Sequence, residues 1–281
     1  MSRPMLVDQP NLSLAWAEAY RAVRDVPGHR LSPLALTFSG FDNGEPLEDP
    51  GIRDALDAAL EASDMASVQT VANTIFPQVL WRRAKGDRHA LYGAYRENLP
   101  DYVAMEPQQN KRGLYFGRLT AFGLDHKTGE PLPQFPKGLL PEDGNQLEVI
   151  IKKCKKGVLA IKLQASVFDP GRDHVNDPRL GFPCLQHVTF IPCFATDTIV
   201  MNAFYATQQL FVKGYGNYLG LARLGLFVAG QVGLALERVT CFVGVEKMDD
   251  SYKPKEGPLR DALDEACDRA LGQLAAPGSA S

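Results

Sequence analysis

Apolar residues recur along this chain with two periods, and the changes of period mark its elements. Between Leu12 and Val26 the spacing is helical, with Leu14, Ala17, Tyr20 and Val23 on one face. Leu34-Ala35-Leu36-Thr37-Phe38 predicts a strand, closed by the turn residues Ser39 to Gly44. Pro50 opens a helix over Gly51 to Ala62, where Ile52, Leu56, Ala59 and Leu60 keep the helical period. Ser67 to Phe76 predicts another helix, stopped by Pro77. The segment Arg82 to Tyr102 mixes charge and aromatics. Its arginines (Arg82, Arg83, Arg88, Arg96) read as a solvated helical face, with an anionic ligand as the other reading.

Residues 130–144 are rich in proline and glycine and predict a long surface loop, of the kind that is often functional in a compact domain. Asn145 to Lys155 reads as a helix, and Val158 to Val167 as a strand with alternating sides. A polar loop, Asp169 to Leu180, leads to Cys184 and an apolar, strand-like run behind it. Thr198 to Gln208 predicts a second strand, Tyr218 to Leu236 a long apolar helix, and Arg238 to Val245 a last strand. Pro258 to Leu274 is an amphipathic helix, and residues 275–281 form a small, polar tail expected to be mobile. Strands mixed with helices in no strict βαβ rhythm give an α+β class. One domain over 1–281 is expected.

Composition narrows the function classes. Of 281 residues, 45% are hydrophobic and 22% charged, as in a globular protein, and the net charge of −3 gives no basic surface for nucleic acid. Lys152-Lys153-Cys154-Lys155-Lys156 is the one dense basic cluster, read as a solvated helix end. The longest apolar run, Phe211 to Leu236, is interrupted by Lys213, Arg223 and Gln231, so no membrane span is expected. The 5 cysteines are scattered without a Cys-x-x-Cys pair, and the N-terminus lacks the order of a signal peptide. Reduced thiols and a cytoplasmic setting follow as expectations.

The block from Pro183-Cys184 to Met248 resembles the thymidylate synthase family, which includes the cytidylate and deoxycytidylate hydroxymethylases. In that family a Pro-Cys pair carries a nucleophile, followed by an Arg-Ser-x-Asp strand, a glycine-to-asparagine turn and a long buried helix. Here Pro183-Cys184, Phe190 and Asn217 fit. Gly113-Leu114-Tyr115-Phe116-Gly117 is similar to the family's Tyr-Gly segment, Asn145-Gln146-Leu147 to its Asp-Gln-Leu, and Ala165 to Pro170 to its Ala-Trp-Asn-Pro.

The resemblance implies a thymidylate-synthase-like mixed sheet layer packed with helices, and a homodimer. It also implies one-carbon transfer from 5,10-methylenetetrahydrofolate to C5 of a pyrimidine. Cys184 would be the nucleophile, adding to C6, and a buried inert thiol is the other reading. Tyr115 would position water or substrate, or else pack as a strand tyrosine. Asn217 would read the pyrimidine edge, or else serve as a plain helix cap. Gln209 and Gln186 are further amides for the substrate. His187 is a candidate base, although strand alternation puts it on the face opposite Cys184. Arg172 and Arg179, in the loop before the cysteine, are candidates to stabilise a thiolate.

The chain also departs from the family. The phosphate segment reads Ala206-Thr207-Gln208-Gln209, so Ala206 replaces the phosphate arginine. Of the arginine pair that a partner subunit lends, only Lys162 keeps a charge, and it lacks the bidentate fork. The sugar-reading segment appears as Gly244-Val245-Glu246-Lys247-Met248, and Asn73 or Gln69 stands where a catalytic glutamate is sought. Other arginines (Arg82, Arg83, Arg112, Arg118) could hold a phosphate, or the substrate could be a nucleoside. The alternative is a catalytically inactive homologue that serves as a binding or structural dimer.

Overall fold

The computed structural model describes residues 4–110, 113–126, 128–157, 159–174, 183–248 and 257–275. The main elements are, in chain order, β1 (Met5–Gln9), α1 (Leu12–Asp25), β2 (Leu34–Phe38), α2 (Pro50–Glu61), α3 (Val68–Ile75), α4 (Arg88–Met105), α5 (Tyr115–Thr120) and α6 (Gln146–Lys155). There follow β3 (Gln164–Ser166), α7 (Pro170–Asp173), β4 (Leu185–Cys193), β5 (Thr198–Tyr205), α8 (Tyr215–Val232), β6 (Ala235–Val243) and α9 (Pro258–Ala275). The class is α+β. Side-chain caps start many of the helices. Asn11, Asp49, Asp87, Asn145 and Asp169 each accept backbone N–H bonds that the first turn leaves open. Among the described residues no helix is long and apolar enough to cross a membrane.

Two compact units account for the chain. The first comprises residues 1–72, 205–223 and 237–281. Its strands run in the order β1-β2-β6, with Met5 parallel to Leu34 and Val239 antiparallel to Phe38. The apolar face of α1 supplies the core here. Trp16 stacks on Tyr20 at 4.9 Å and meets Tyr215 at 5.7 Å. A polar chain runs beside it. Ser13 donates to the Tyr215 hydroxyl at 2.6 Å, Tyr215 donates to Glu48 at 2.8 Å, and Arg53 donates to Glu48 at 2.7 Å.

The second unit comprises residues 73–204 and 224–236. Its strands run β5-β4-β3, with Ala165 antiparallel to Val188. Phe76, Trp81, Tyr92, Phe116 and Phe227 form one aromatic cluster, with Phe227 5.2 Å from Phe76 and 5.0 Å from Trp81. Helix α8 is buried almost all round, which explains why its sequence is apolar without a clear polar face. Residues 215–223 of α8 belong to the first unit and 224–232 to the second.

Several expected boundaries move. The alternating stretch up to Val167 is a strand only over Gln164–Ser166. Before it, Lys162 and Leu163 donate back to Leu159 and Ala160, so Ala160–Lys162 turns on itself and leaves Leu159 and Ile161 74% exposed. The strand at Thr198 stops at Tyr205. Gln208-Gln209 pairs instead with Glu246-Lys247 in a small separate sheet. The long helix starts at Tyr215, directly behind a π-helical stretch over Leu210–Gly214. The last strand is Ala235–Val243 rather than Arg238 to Val245, and Met5–Gln9 is a strand that the pattern did not predict. Tail residues 276–281 lie outside the described residues.

Gly216 shows how closely α8 is packed within the first unit. A Cβ there would stand 2.5 Å from Val71 Cβ and 2.8 Å from the Val68 carbonyl oxygen of α3. Gly216→Ala is expected to lower stability by roughly 1–3 kcal/mol, the usual cost of overpacking. Urea unfolding measures this, and an unchanged midpoint would show that α3 yields freely.

Candidate functional site

Tyr115 and Cys184, distant in sequence, meet in the second unit. Tyr115 opens α5, and its hydroxyl lies beside Cys184 and the Leu185 backbone. Burial, followed by the nearby Cys184 sulfur, holds the phenol above the ordinary tyrosine range. It is therefore a neutral O–H near neutral pH, able to donate. Tyr115 lies on a helix, not on the strand that the sequence suggested. Cys184 is half-buried and in no disulfide. Behind it, Gln186 Nε2 donates to the Pro183 carbonyl at 2.5 Å and tightens the turn into β4. The Gln186 carbonyl accepts from both Val167 and Phe168 at 2.8 and 3.1 Å, a bulge that ends the β3–β4 pairing beside the cysteine. His187 is half-buried opposite Ser166, and burial lowers its pKa, so it is a neutral imidazole near neutral pH.

A buried ion pair fixes this wall. Arg118, one turn along α5 from Tyr115, binds Asp173 with two hydrogen bonds of 2.7 and 2.8 Å, and both side chains are at most 1% exposed. Arg118 also donates to the Val167 carbonyl at 2.9 Å. This guanidinium is committed to protein groups, so the expectation that Arg118 could hold a phosphate is corrected. Its partner lies 55 residues away, and local sequence cannot reveal it. Arg172 is likewise engaged. It donates to Asp169 at 2.8 Å and to the Phe122 carbonyl at 2.6 Å, with its guanidinium over the Phe122 ring. Arg179 and Arg112 lie outside the described residues.

Of the remaining candidates in the second unit, Lys162 is exposed on the Ala160–Lys162 turn, and Asn73 is half-buried in α3. The loop over 130–144 does shape a cavity of about 280 Å³, with Arg96, Phe135, Lys137, Leu140 and Asp143 among its lining.

The amide candidates Asn217 and Gln209 belong to the first unit. Asn217 is not a cap, because helical backbone precedes it from Leu210 onward. It is 5% exposed, and no hydrogen bond reaches its side chain among the described residues. Gln209 is half-buried beside Lys247, while Gln69 accepts from Arg223 at 2.9 Å. Sequence reading passed over Gln208 and Glu246 because it sought charged phosphate ligands and a sugar-reading histidine in those segments. Gln208 is 2% exposed with neither amide atom bonded. Glu246 is fully buried, with Tyr218 donating to Oε2 at 3.2 Å. Burial pushes the Glu246 carboxyl well above the usual range.

The chain matches no protein-family model and no curated protein. Its functional reading therefore rests on the residues themselves.

His126 gives this region a pH signature. The ring is 5% exposed against Gly113 and Gly117. Burial, then the charges of Arg172 and Arg118, lower its pKa to about 4. The unfolded chain takes up the proton near pH 6.5, the folded one only near 4. The stability from keeping His126 neutral is thus complete above pH 6.5 and is lost as pH falls from there toward 4. His126→Asn is expected to flatten the loss of stability over that window, by up to roughly 3 kcal/mol at its acid end. Chemical denaturation at pH 7, 5.5 and 4.5 measures it. Parallel curves for the two proteins would assign the acid sensitivity to other groups.

Proposed function

We propose that this protein transfers a one-carbon unit to C5 of a pyrimidine through a covalent adduct of Cys184 at C6. The observation that carries the proposal is the meeting of Tyr115 and Cys184, two residues that the family resemblance singled out separately.

In this mechanism the Cys184 thiolate adds to C6, and the electron pair moves toward C5 and the C4 oxygen. The resulting carbanion-like C5 takes a proton from solvent or attacks an electrophilic carbon. In the exchange branch, loss of the original C5 proton and expulsion of the thiolate restore the ring. In the transfer branch, loss of that proton would go with release of the carrier nitrogen from the new carbon. Water, or a hydride from the reduced carrier for a methyl product, would add to that carbon, and expulsion of the thiolate would restore the ring. Tyr115 donates its hydroxyl proton to ordered water or to the substrate and holds the backbone at Cys184 in place. His187, neutral near pH 7, is the candidate proton acceptor. 5,10-Methylenetetrahydrofolate is the proposed donor and supplies a carbon at the oxidation level of formaldehyde. None of the described residues is assigned to hold it.

A homodimer belongs to this proposal. It is supported by large apolar side chains left in solvent, among them Leu6 at 71% and Phe194 at 55% exposure. A cytoplasmic setting is also proposed, in line with five cysteines that form no disulfide. The second reading, an inactive binding or structural module, is favoured by one observation: the commitment of Arg118 to Asp173 removes a cation that a nucleotide phosphate would need.

Release of tritium from 5-tritiated pyrimidines separates the two readings. Uridine, cytidine, their deoxy forms and all the monophosphates are incubated with protein, with and without methylenetetrahydrofolate. Release is expected from at least one of them, falling at least 100-fold in Cys184→Ala while the circular dichroism and melting temperature stay unchanged. No release from folded wild-type protein, or equal release by the variant, would favour the inactive module.

A further inference from the structure

The loop over 130–144, together with Arg96 of α4, lines the cavity of about 280 Å³ in the second unit. The loop is held by its own contacts. The Leu132 N–H donates to the Gly123 carbonyl at 2.9 Å, the Asp125 N–H to the Glu130 carbonyl at 2.8 Å, and the Phe135 N–H to the Leu132 carbonyl at 2.8 Å. Phe135 packs on Phe122 with ring centroids 5.6 Å apart. A Cβ on Gly123 would stand 2.8 Å from Leu140 Cδ1 and 3.1 Å from Phe135 Cβ, so the loop closes tightly over that position. Arg172 ties the base of the loop through the Phe122 carbonyl at 2.6 Å. The walls are thus formed before a ligand arrives, as in most small-molecule sites.

Four charged residues line this cavity: Arg96, Lys137, Glu130 and Asp143. Among the described residues none of their side chains makes a hydrogen bond or an ion pair. That separates Arg96 from Arg88, Arg118 and Arg172 of the same unit, each of which is bound to a carboxylate. Asp143 is also held in an uncommon backbone conformation. Its φ is +51° and that of Glu142 is +53°, in the left-handed region that glycine enters most freely. Backbone held in this way gathers at ligand clamps and active sites.

The charges select the ligand. A purely anionic molecule would gain from Arg96 and Lys137 but face Glu130 and Asp143, and a purely cationic one would meet the reverse. A zwitterion answers both pairs at once, with its carboxylate suited to the guanidinium fork. The rest of the lining is glycine, proline, leucine and Phe135, which suits an apolar portion of the ligand. At about 280 Å³ the cavity lies just below the roughly 300–1,000 Å³ of sites for drug-sized molecules, so the ligand is small.

We propose that this cavity binds a free α-amino acid with an apolar side chain. Arg96 and Lys137 hold its carboxylate, Glu130 and Asp143 its ammonium group, and Phe135 and Leu140 receive the side chain. Occupancy of the cavity does not require the pyrimidine chemistry proposed for Cys184.

Calorimetric titration of the full chain with leucine, methionine, phenylalanine and tyrosine tests it. At least one is expected to bind with a Kd of about 1 mM or tighter. Its analogue without the amine and its analogue without the carboxylate are each expected to bind at least tenfold more weakly. Arg96→Gln and Asp143→Asn are each expected to weaken the amino acid at least tenfold. The melting temperature of the free protein is expected to stay unchanged in both, since both side chains are exposed and unpaired among the described residues. Asparagine also tolerates the left-handed backbone at position 143. The proposal is overturned if none of the four amino acids binds, or if either analogue binds as tightly as its parent, as a simple anion or cation site would require. It is equally overturned if either variant leaves affinity unchanged, as binding elsewhere on the chain would require. Should a variant fail to fold, the comparison of parent and analogues on the wild-type protein decides.

Discussion

The thiol site of the second unit depends on a buried ion pair. Arg118 and Asp173 are both out of water, and two charges in that position are tolerated only with near-ideal geometry and satisfied remaining valences. Both conditions are met here. The guanidinium binds Asp173 twice and the Val167 carbonyl once, and the carboxylate also accepts the Asp169 N–H. This fixes α5, which carries Tyr115, against the end of β3, which in turn pairs with the strand behind Cys184. Removing one partner would leave a buried charge uncompensated, at about 3–5 kcal/mol, so the pair specifies position even though it is poor evidence of net stabilisation.

A similar logic of commitment runs through the other arginines. Arg88 lies on Glu148, Arg53 on Glu48 and Asp57, Arg172 on Asp169, and Arg223 on Glu45. These residues hold elements together within their own units. Conversely, buried polar atoms without a hydrogen-bond partner among the described residues include Tyr92 and Tyr95 Oη, His126 Nδ1, both amide atoms of Gln208 and Glu246 Oε1.

Much of the scaffold was legible because it follows simple periods. Leu12 to Val26 and Gly51 to Ala62 carry their apolar stripe and their caps in local sequence, and Leu34 to Phe38 alternates as a strand on a covered face should. Where tertiary contacts decide, the pattern misled. The stretch before Val167 alternates, yet Leu159 and Ile161 find nothing to cover them and the chain turns instead. Glycines at 214 and 216 suggested a loop opening at Asn217. In the fold Gly214 ends the π-helical stretch and Gly216 sits inside the helix, close against Val71.

The site was legible in a different way. Cys184, Tyr115 and Asn217 were named from motif context; the fold brings the first two together in the second unit, and Asn217 lies in the first, 5% exposed. Arg118 was misread because charge is visible in sequence while its partner is not. Gln208 and Glu246 were overlooked because they stand where charged ligands were sought, although paired polar residues bordering apolar strands were a signal available in the sequence.

The most direct test of the central claim, that Cys184 is a carbon nucleophile toward a pyrimidine ring, is intact-mass spectrometry followed by peptide mapping. Protein is incubated with 5-fluorouridine or 5-fluoro-2′-deoxyuridine and methylenetetrahydrofolate, then quenched in acid. Fluorine at C5 blocks the proton loss that would release the ring. A mass increment of one pyrimidine-containing adduct, confined to the peptide that carries Cys184, is the predicted result. Folded protein that stays at its unmodified mass with both compounds, or that carries the adduct on Cys193 or another cysteine, would contradict it.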